Sequence, residues 1–147
     1  MTRARSGLAM TALALVGLAI AAYLAAEKLS GGTPACGPLH GCETVAASSY
    51  SEILGIPVAL IGVGYSIVLA VASLAWWRSA DSGRARQALL VAYGLGLLGL
   101  FVVLALTYLE LFVIDAVCVY CVTYGLTVIA GFVVAAVAVR RSDPGHR

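Results

Sequence analysis

Four stretches of this chain each run for about twenty residues without a charged side chain, and nothing else in the sequence constrains the fold as strongly. They cover residues Leu8 to Ala26, Val58 to Trp77, Gln87 to Leu109 and Ala116 to Val139. About twenty apolar residues in a helix cross the roughly 30 Å hydrocarbon core of a bilayer. The composition allows no other home for them. Of 147 residues, 62% are hydrophobic and 11% charged. The mean hydropathy is +1.01. A soluble domain of this size has too few charges to cover so much apolar surface. The expected fold class is all-α integral membrane: a four-transmembrane-helix bundle with a short amphipathic helix in the first extracytoplasmic loop. The whole of 1–147 reads as a single membrane domain. Its helices are expected at about 8–26, 57–77, 87–109 and 116–139, with a polar loop at 27–55. The formal net charge of +2 does not point to nucleic acid, because the arginines flank apolar segments and form no basic patch.

The boundaries follow from the punctuation between these stretches. The first run is longer than the 7–15 residues of a signal-peptide core, so it reads as a retained helix, although triplets such as Ala19-Ile20-Ala21 resemble cleavage sites. Ser30-Gly31-Gly32-Thr33-Pro34 cannot continue a helix. From Glu43 to Leu54, apolar Val45, Ala46, Ile53 and Leu54 alternate with Ser48, Ser49, Ser51 and Glu52; a short helix lying on the membrane is expected there, an ordinary connecting loop being the alternative. Pro57 opens the second span, where its missing N–H is no loss. Trp76 and Trp77 close it as interfacial anchors. Arg78 to Arg86 reads as a polar loop, and Gly94, Gly96 and Gly99 in the third span suit close helix packing. Glu110 to Asp115 reads as a very short link, with Asp115 placed to cap the fourth helix.

Charge also orients the chain. Arg3, Arg5, Arg78, Arg84, Arg86, Arg140, Arg141 and Arg147 fall on one side of the expected membrane and Lys28 on the other. The positive-inside rule then sets both termini and the 78–86 loop in the cytoplasm, and the cysteines on the outer face. Disulfides form and persist on that face.

The chemistry rests on Cys36, Cys42, Cys118 and Cys121. Cys118 and Cys121 stand three apart at the start of the fourth span, so they share a helix face one turn apart. One lies near the surface and the other deeper in the membrane. Helix N–H groups stabilise a thiolate at such a position, an effect that Asp115 opposes by its charge. Cys36 and Cys42 sit in a loop rich in turn formers, where mobility serves thiol–disulfide exchange. Two exchanging dithiols fit this pattern best. Two inert disulfides and a four-thiolate zinc site are the alternatives, the latter lacking a polar second shell for a pair inside a membrane helix. A quinone suits the deeper pair as electron acceptor, being lipid-soluble and fitted to an apolar pocket between helices. His40 reads as a solvated loop residue and His146 lies in the tail, so neither is placed to bind haem.

Taken in order, Cys36 and Cys42 in the first outer loop, a serine shortly after, Gly55-Ile56-Pro57 opening the second span and Cys118-Val119-Tyr120-Cys121 opening the fourth resemble the vitamin K epoxide reductase family, and its bacterial homologues in particular. The resemblance implies a four-helix bundle around a quinone, covered by the first loop. It implies that Cys121 contacts the quinone and that Cys118 exchanges with the loop. Cys42 would form the mixed disulfide with Cys118, and Cys36 would pair with Cys42 and face a soluble partner. The family serine falls on Ser48, or on adjacent Ser49, as a residue positioning the loop and site. A family tyrosine falls on Tyr124, as a hydrogen-bond donor to a quinone carbonyl. The implied activity passes electrons from a periplasmic thioredoxin-fold (DsbA-like) protein through both cysteine pairs to a menaquinone- or ubiquinone-type quinone, driving disulfide formation in exported proteins. No metal is implied. Many bacterial members carry a fused thioredoxin-like domain; here the partner is expected as a separate protein. The stretch Pro57 to Gly62 is apolar where the animal enzymes have an asparagine, which speaks against vitamin K epoxide as substrate. A DsbB-type oxidoreductase carries its cysteine pairs in the opposite order, and a scaffold with structural disulfides would keep its function without Cys121.

Overall fold

The computed structural model describes residues 2–39 and 41–142; His40 and the tail with His146 lie outside the described part. Four long helices form the body: α1 Arg3–Leu29, α3 Val58–Arg78, α4 Ser82–Leu109 and α5 Val119–Ser142. Each is long and apolar enough to span a membrane, so the chain is a multi-pass membrane protein. They pack as a ring in which α1 touches α3 and α5, and α4 touches the same two. The loop after α1 carries a short helix α2, Gly41–Ala47, a 3-10 turn at Ser49–Ser51, and an antiparallel pair of two-residue strands, β1 Glu52–Ile53 and β2 Ile56–Pro57.

Between apolar helices in lipid, contact is gained by close approach of backbones rather than by escape from water, so small residues line the seams. Ala14, Ala72, Ala92, Ala135 and Ala138 are buried there, with Met10, Leu69, Leu89 and Trp76 filling the space between. Gly96 lies against Phe132 and Gly99 against the Tyr65 ring, whereas Gly94 meets nothing. This packed core occupies the end of the bundle that carries the chain's N-terminus. There the Arg3 guanidinium donates to the backbone carbonyls of Trp76 and Ser79, the latter at 2.8 Å, tying α1 to the end of α3. The opposite end is hollow, and the loop between α1 and α3 covers it.

Several boundaries differ from the sequence expectation. The 78–86 loop shrinks to three residues, because Asp81 caps α4 by accepting the Gly83 N–H at 2.8 Å and the following arginines are good helix formers. The surface helix expected over 43–54 begins earlier and stops at Ala47. The remainder reverses through Leu54 and Gly55, both at positive φ (53° and 81°), as a two-residue hairpin turn demands. The expected link after Leu109 is a π turn, Glu110–Ile114, which prolongs α4. Asp115 does not cap α5: it takes the left-handed conformation (φ 54°) at the end of that turn, and its N–H returns to the Glu110 carbonyl.

Candidate active site

The hollow end holds all four cysteines. Cys36 and Cys42 are joined as a disulfide, with Cα atoms 5.8 Å apart. Cys42 is the second residue of α2 and is fully buried. It reaches that depth because its neighbour is glycine: a Cβ on Gly41 would overlap the Val117 carbonyl oxygen, so only glycine lets α2 lie this close to the segment entering α5. On the other side of that contact, Cys118 is 2% exposed and Cys121 is half-buried, both as free thiols.

The loop is folded and carries side-chain contacts to the end of α1. Lys28 at the end of α1 donates to the Ala46 carbonyl (2.9 Å) and the Ser51 hydroxyl (3.0 Å), and pairs with Glu52 at 3.2 Å. Ser48 closes α2 by donating to the Val45 carbonyl at 2.7 Å, and its own carbonyl accepts the Ser51 hydroxyl at 2.8 Å. Ser48 lines the cavity beneath the loop, whereas Ser49 is exposed. Beside the disulfide, Ala35 is held at both polar atoms. Its carbonyl accepts the Tyr120 hydroxyl at 2.9 Å, and its N–H donates to the Tyr23 hydroxyl at 3.2 Å. The two tyrosine rings lie 5.3 Å apart.

Cys118 stands one residue ahead of α5, not within its first turn as expected; its carbonyl accepts the Val122 N–H at 3.0 Å, the first bond of the helix. In this capping position its sulfur accepts a hydrogen bond from the Cys121 thiol, which lowers the Cys118 pKa to about 7. Burial opposes this; the backbone N–H groups of Cys121 and Tyr120 assist, and the charge of Glu110 opposes. The acidic neighbour is therefore Glu110 and not exposed Asp115. Glu110 Oε2 accepts the Cys118 N–H at 3.4 Å, and the carboxyl is hydrogen-bonded to the Cys121 thiol.

Cys42, Cys118 and Cys121 open together onto a mostly apolar cavity of about 260 Å³ between α1, α3, α4 and α5. Leu98, Val102 and Leu106 of α4 face it, with Ile61 and Tyr65 of α3. Tyr124 lines it one turn below Cys121, but its hydroxyl is engaged within the protein. It donates to the Gly62 carbonyl at 3.2 Å and lies 3.2 Å from the Ser66 hydroxyl. Among the described residues no three or more His, Cys, Asp or Glu gather as metal ligands.

A free dithiol lining an apolar cavity, beneath a second and disulfide-bonded pair in the covering loop, defines a class: four-helix membrane proteins with two cysteine pairs at one end of the bundle. Within that class the sequence profile of the Vitamin K epoxide reductase family matches residues 8–136, nearly the whole chain, and the chain belongs to that family. Membership makes it an oxidoreductase in general terms, of a family that uses quinones and generally works with a redox partner. Among curated proteins no individual relative matches.

Glu110, Gly41, Tyr23 and Tyr120 join the site without having been singled out in the sequence. Glu110 carried a usable signal, since it is an acid set in an apolar run from Leu111 to Ile114 on one side and the third span on the other.

Proposed function

We propose that the chain is a quinone-dependent, disulfide-forming oxidoreductase of the bacterial plasma membrane, with both termini in the cytoplasm and the cysteines on the outer face. Its electrons come from a separate periplasmic thioredoxin-fold (DsbA-like) protein. The observation that carries this reading is that Cys42 of the loop pair and both thiols of the helix pair line one apolar cavity. A cavity of that volume and character suits the ring of a quinone. Such an acceptor takes up two electrons and two protons.

The reduced partner reduces the Cys36–Cys42 disulfide and leaves with its own disulfide. Oxidation of Cys118 and Cys121 forms the bond between them and delivers two electrons to the cavity. The Cys42 thiolate then attacks the Cys118 sulfur; the Cys118–Cys121 bond breaks and Cys121 leaves. Cys36 attacks Cys42, releasing Cys118 and restoring the loop disulfide. The lowered pKa of Cys118 makes it a good leaving group in that last step. Ser48 serves to position the loop and Tyr124 the cavity wall; a bond from Tyr124 to the acceptor's carbonyl requires its hydroxyl to leave the Gly62 carbonyl.

The test is purified protein with a reduced thioredoxin-like partner and either menaquinone or ubiquinone, followed by quinol absorbance. Quinol should accumulate, and Cys121→Ser should abolish it. A flat trace with every quinone tried overturns the reading. Membrane-impermeant maleimide applied to intact cells after reduction should label Cys36, the more exposed of the loop pair; labelling only after the cytoplasm is opened overturns the orientation.

A further inference from the structure

Glu110 is 6% exposed and is the one acidic or basic side chain among the buried residues described, the other buried polar groups being the hydroxyls of Ser6, Ser66 and Ser73. It lies within the third span, Ser82–Ile114, at the residue that opens the π turn. π turns insert a residue into a helix and redirect the side chains around it, and they recur at functional sites. Here the result is a carboxyl that meets the Cys118 N–H at 3.4 Å and the Cys121 thiol, and that lines the same cavity as both sulfurs. The titratable groups facing it are Cys118, just ahead of α5, and Cys121 in its first turn. Lys28, the cation lining the cavity, is engaged with Ala46, Ser51 and Glu52. The ion pairs among the described residues, Lys28–Glu52 and Arg84–Asp81, leave Glu110 out.

A capping role alone does not account for this residue. A neutral oxygen acceptor would hold the Cys118 N–H without the cost of burying an ionisable group. An acid kept inside a membrane span against that cost points to proton movement. We propose that Glu110 is a catalytic residue, the proton carrier of the membrane-embedded thiol pair, taking the Cys121 proton as that pair is oxidised and passing it into the cavity. This rests on the reading that a quinone is reduced there.

The balance is as follows. Cys118 reacts as its thiolate, having lost its proton to water. Glu110 removes the proton from the Cys121 sulfur as the bond between the two sulfurs forms. Two electrons leave for the acceptor, Glu110 hands on its proton, and one proton from water completes the quinol. Without an acceptor for the Cys121 proton, that sulfur must lose it to an apolar cavity.

Glu110→Gln separates this role from capping, because the amide oxygen still accepts the Cys118 N–H but takes up no proton. Two half-reactions are followed by stopped flow. One is quinol formation by the pre-reduced protein; the other is reduction of Cys36–Cys42 by the thioredoxin-like partner. A positioned proton acceptor contributes 10²–10⁴-fold, so E110Q should slow quinol formation by about 100-fold and flatten its pH dependence. Partner exchange and the thermal midpoint should stay unchanged, and Glu110→Asp should recover part of the rate. Quinol formation at the wild-type rate in E110Q overturns the proposal. So does an equal loss in both half-reactions with a lowered midpoint, which is the mark of a cap. Absence of quinol formation in the wild-type protein is a different result: it overturns the quinone reading itself, and this proposal with it.

Discussion

The α-carbon of Gly41 packs against the Val117 carbonyl with no space between them for a methyl group. Through this contact the residue before one buried cysteine rests on the residue before another. Backbone meets backbone, so a larger side chain cannot be accommodated by a rotamer change; α2 must move. Gly41→Ala should therefore separate Cys42 from Cys118. Overpacking of this kind costs about 1–3 kcal/mol. Formation of the Cys42–Cys118 disulfide in a Cys36→Ser/Cys121→Ser background, with oxidised glutathione added as the two-electron oxidant and the product read by peptide mapping, should slow at least tenfold. Quinol formation by the pre-reduced Cys118/Cys121 pair should change little. A mixed disulfide that forms as fast with alanine as with glycine contradicts the account.

The ionisation of Cys118 gives a second prediction. The Cys121 thiol donates to its sulfur and so favours the thiolate, setting the pKa at about 7. A thiol reacts with alkylating agents as the thiolate, so alkylation of Cys118 in the reduced protein should rise with pH through a midpoint near 7. Cys121→Ala removes the donor that favours the charged form. The midpoint should then move up, and alkylation at neutral pH should slow. Iodoacetamide followed by mass spectrometry of the Cys118 peptide measures this. A midpoint unmoved by C121A would show that the neighbouring thiol is not the cause.

The tyrosine tether bears on how the loop opens. Tyr120 holds the Ala35 carbonyl at 2.9 Å, one residue before Cys36. Tyr120→Phe deletes that bond and keeps the ring against Tyr23. The loss of one such bond is worth about 0.5–1.5 kcal/mol, so opening of this segment should become several-fold more frequent. Reduction of Cys36–Cys42 by dithiothreitol should accelerate by a similar factor. An unchanged rate would mean that the disulfide is reached without releasing Ala35.

Much of the architecture was legible because bilayer thickness imposes a length on apolar runs, and the four long helices answer to it. What escaped was where polar residues turn inward. Arg84 and Arg86 were read as loop because charge ends a membrane span, yet charge does not end a helix: Asp81 starts α4 before the apolar run begins. Glu110 was read as part of a link for the same reason. The π turn that folds it toward the thiols depends on packing across the bundle and leaves no local periodicity to detect. Asp115 has a favourable capping side chain, but the preceding turn takes it into the left-handed region, and the start of α5 falls to Cys118. The contacts that hold the loop were not legible in its own glycines and prolines. Its tethers, Lys28 and Tyr120, come from distant positions in the chain.

The most direct test of the central claim counts electrons. The fully reduced chain, freed of reductant and mixed with excess quinone, holds two thiol pairs that drain through Cys121. The wild-type protein should yield about two quinols per chain, a Cys36→Ser/Cys42→Ser variant about one, and Cys121→Ser none. Quinol formed by Cys121→Ser, or a yield from the wild-type protein no greater than from the variant lacking the loop pair, would contradict a relay from the loop through the membrane pair to the quinone.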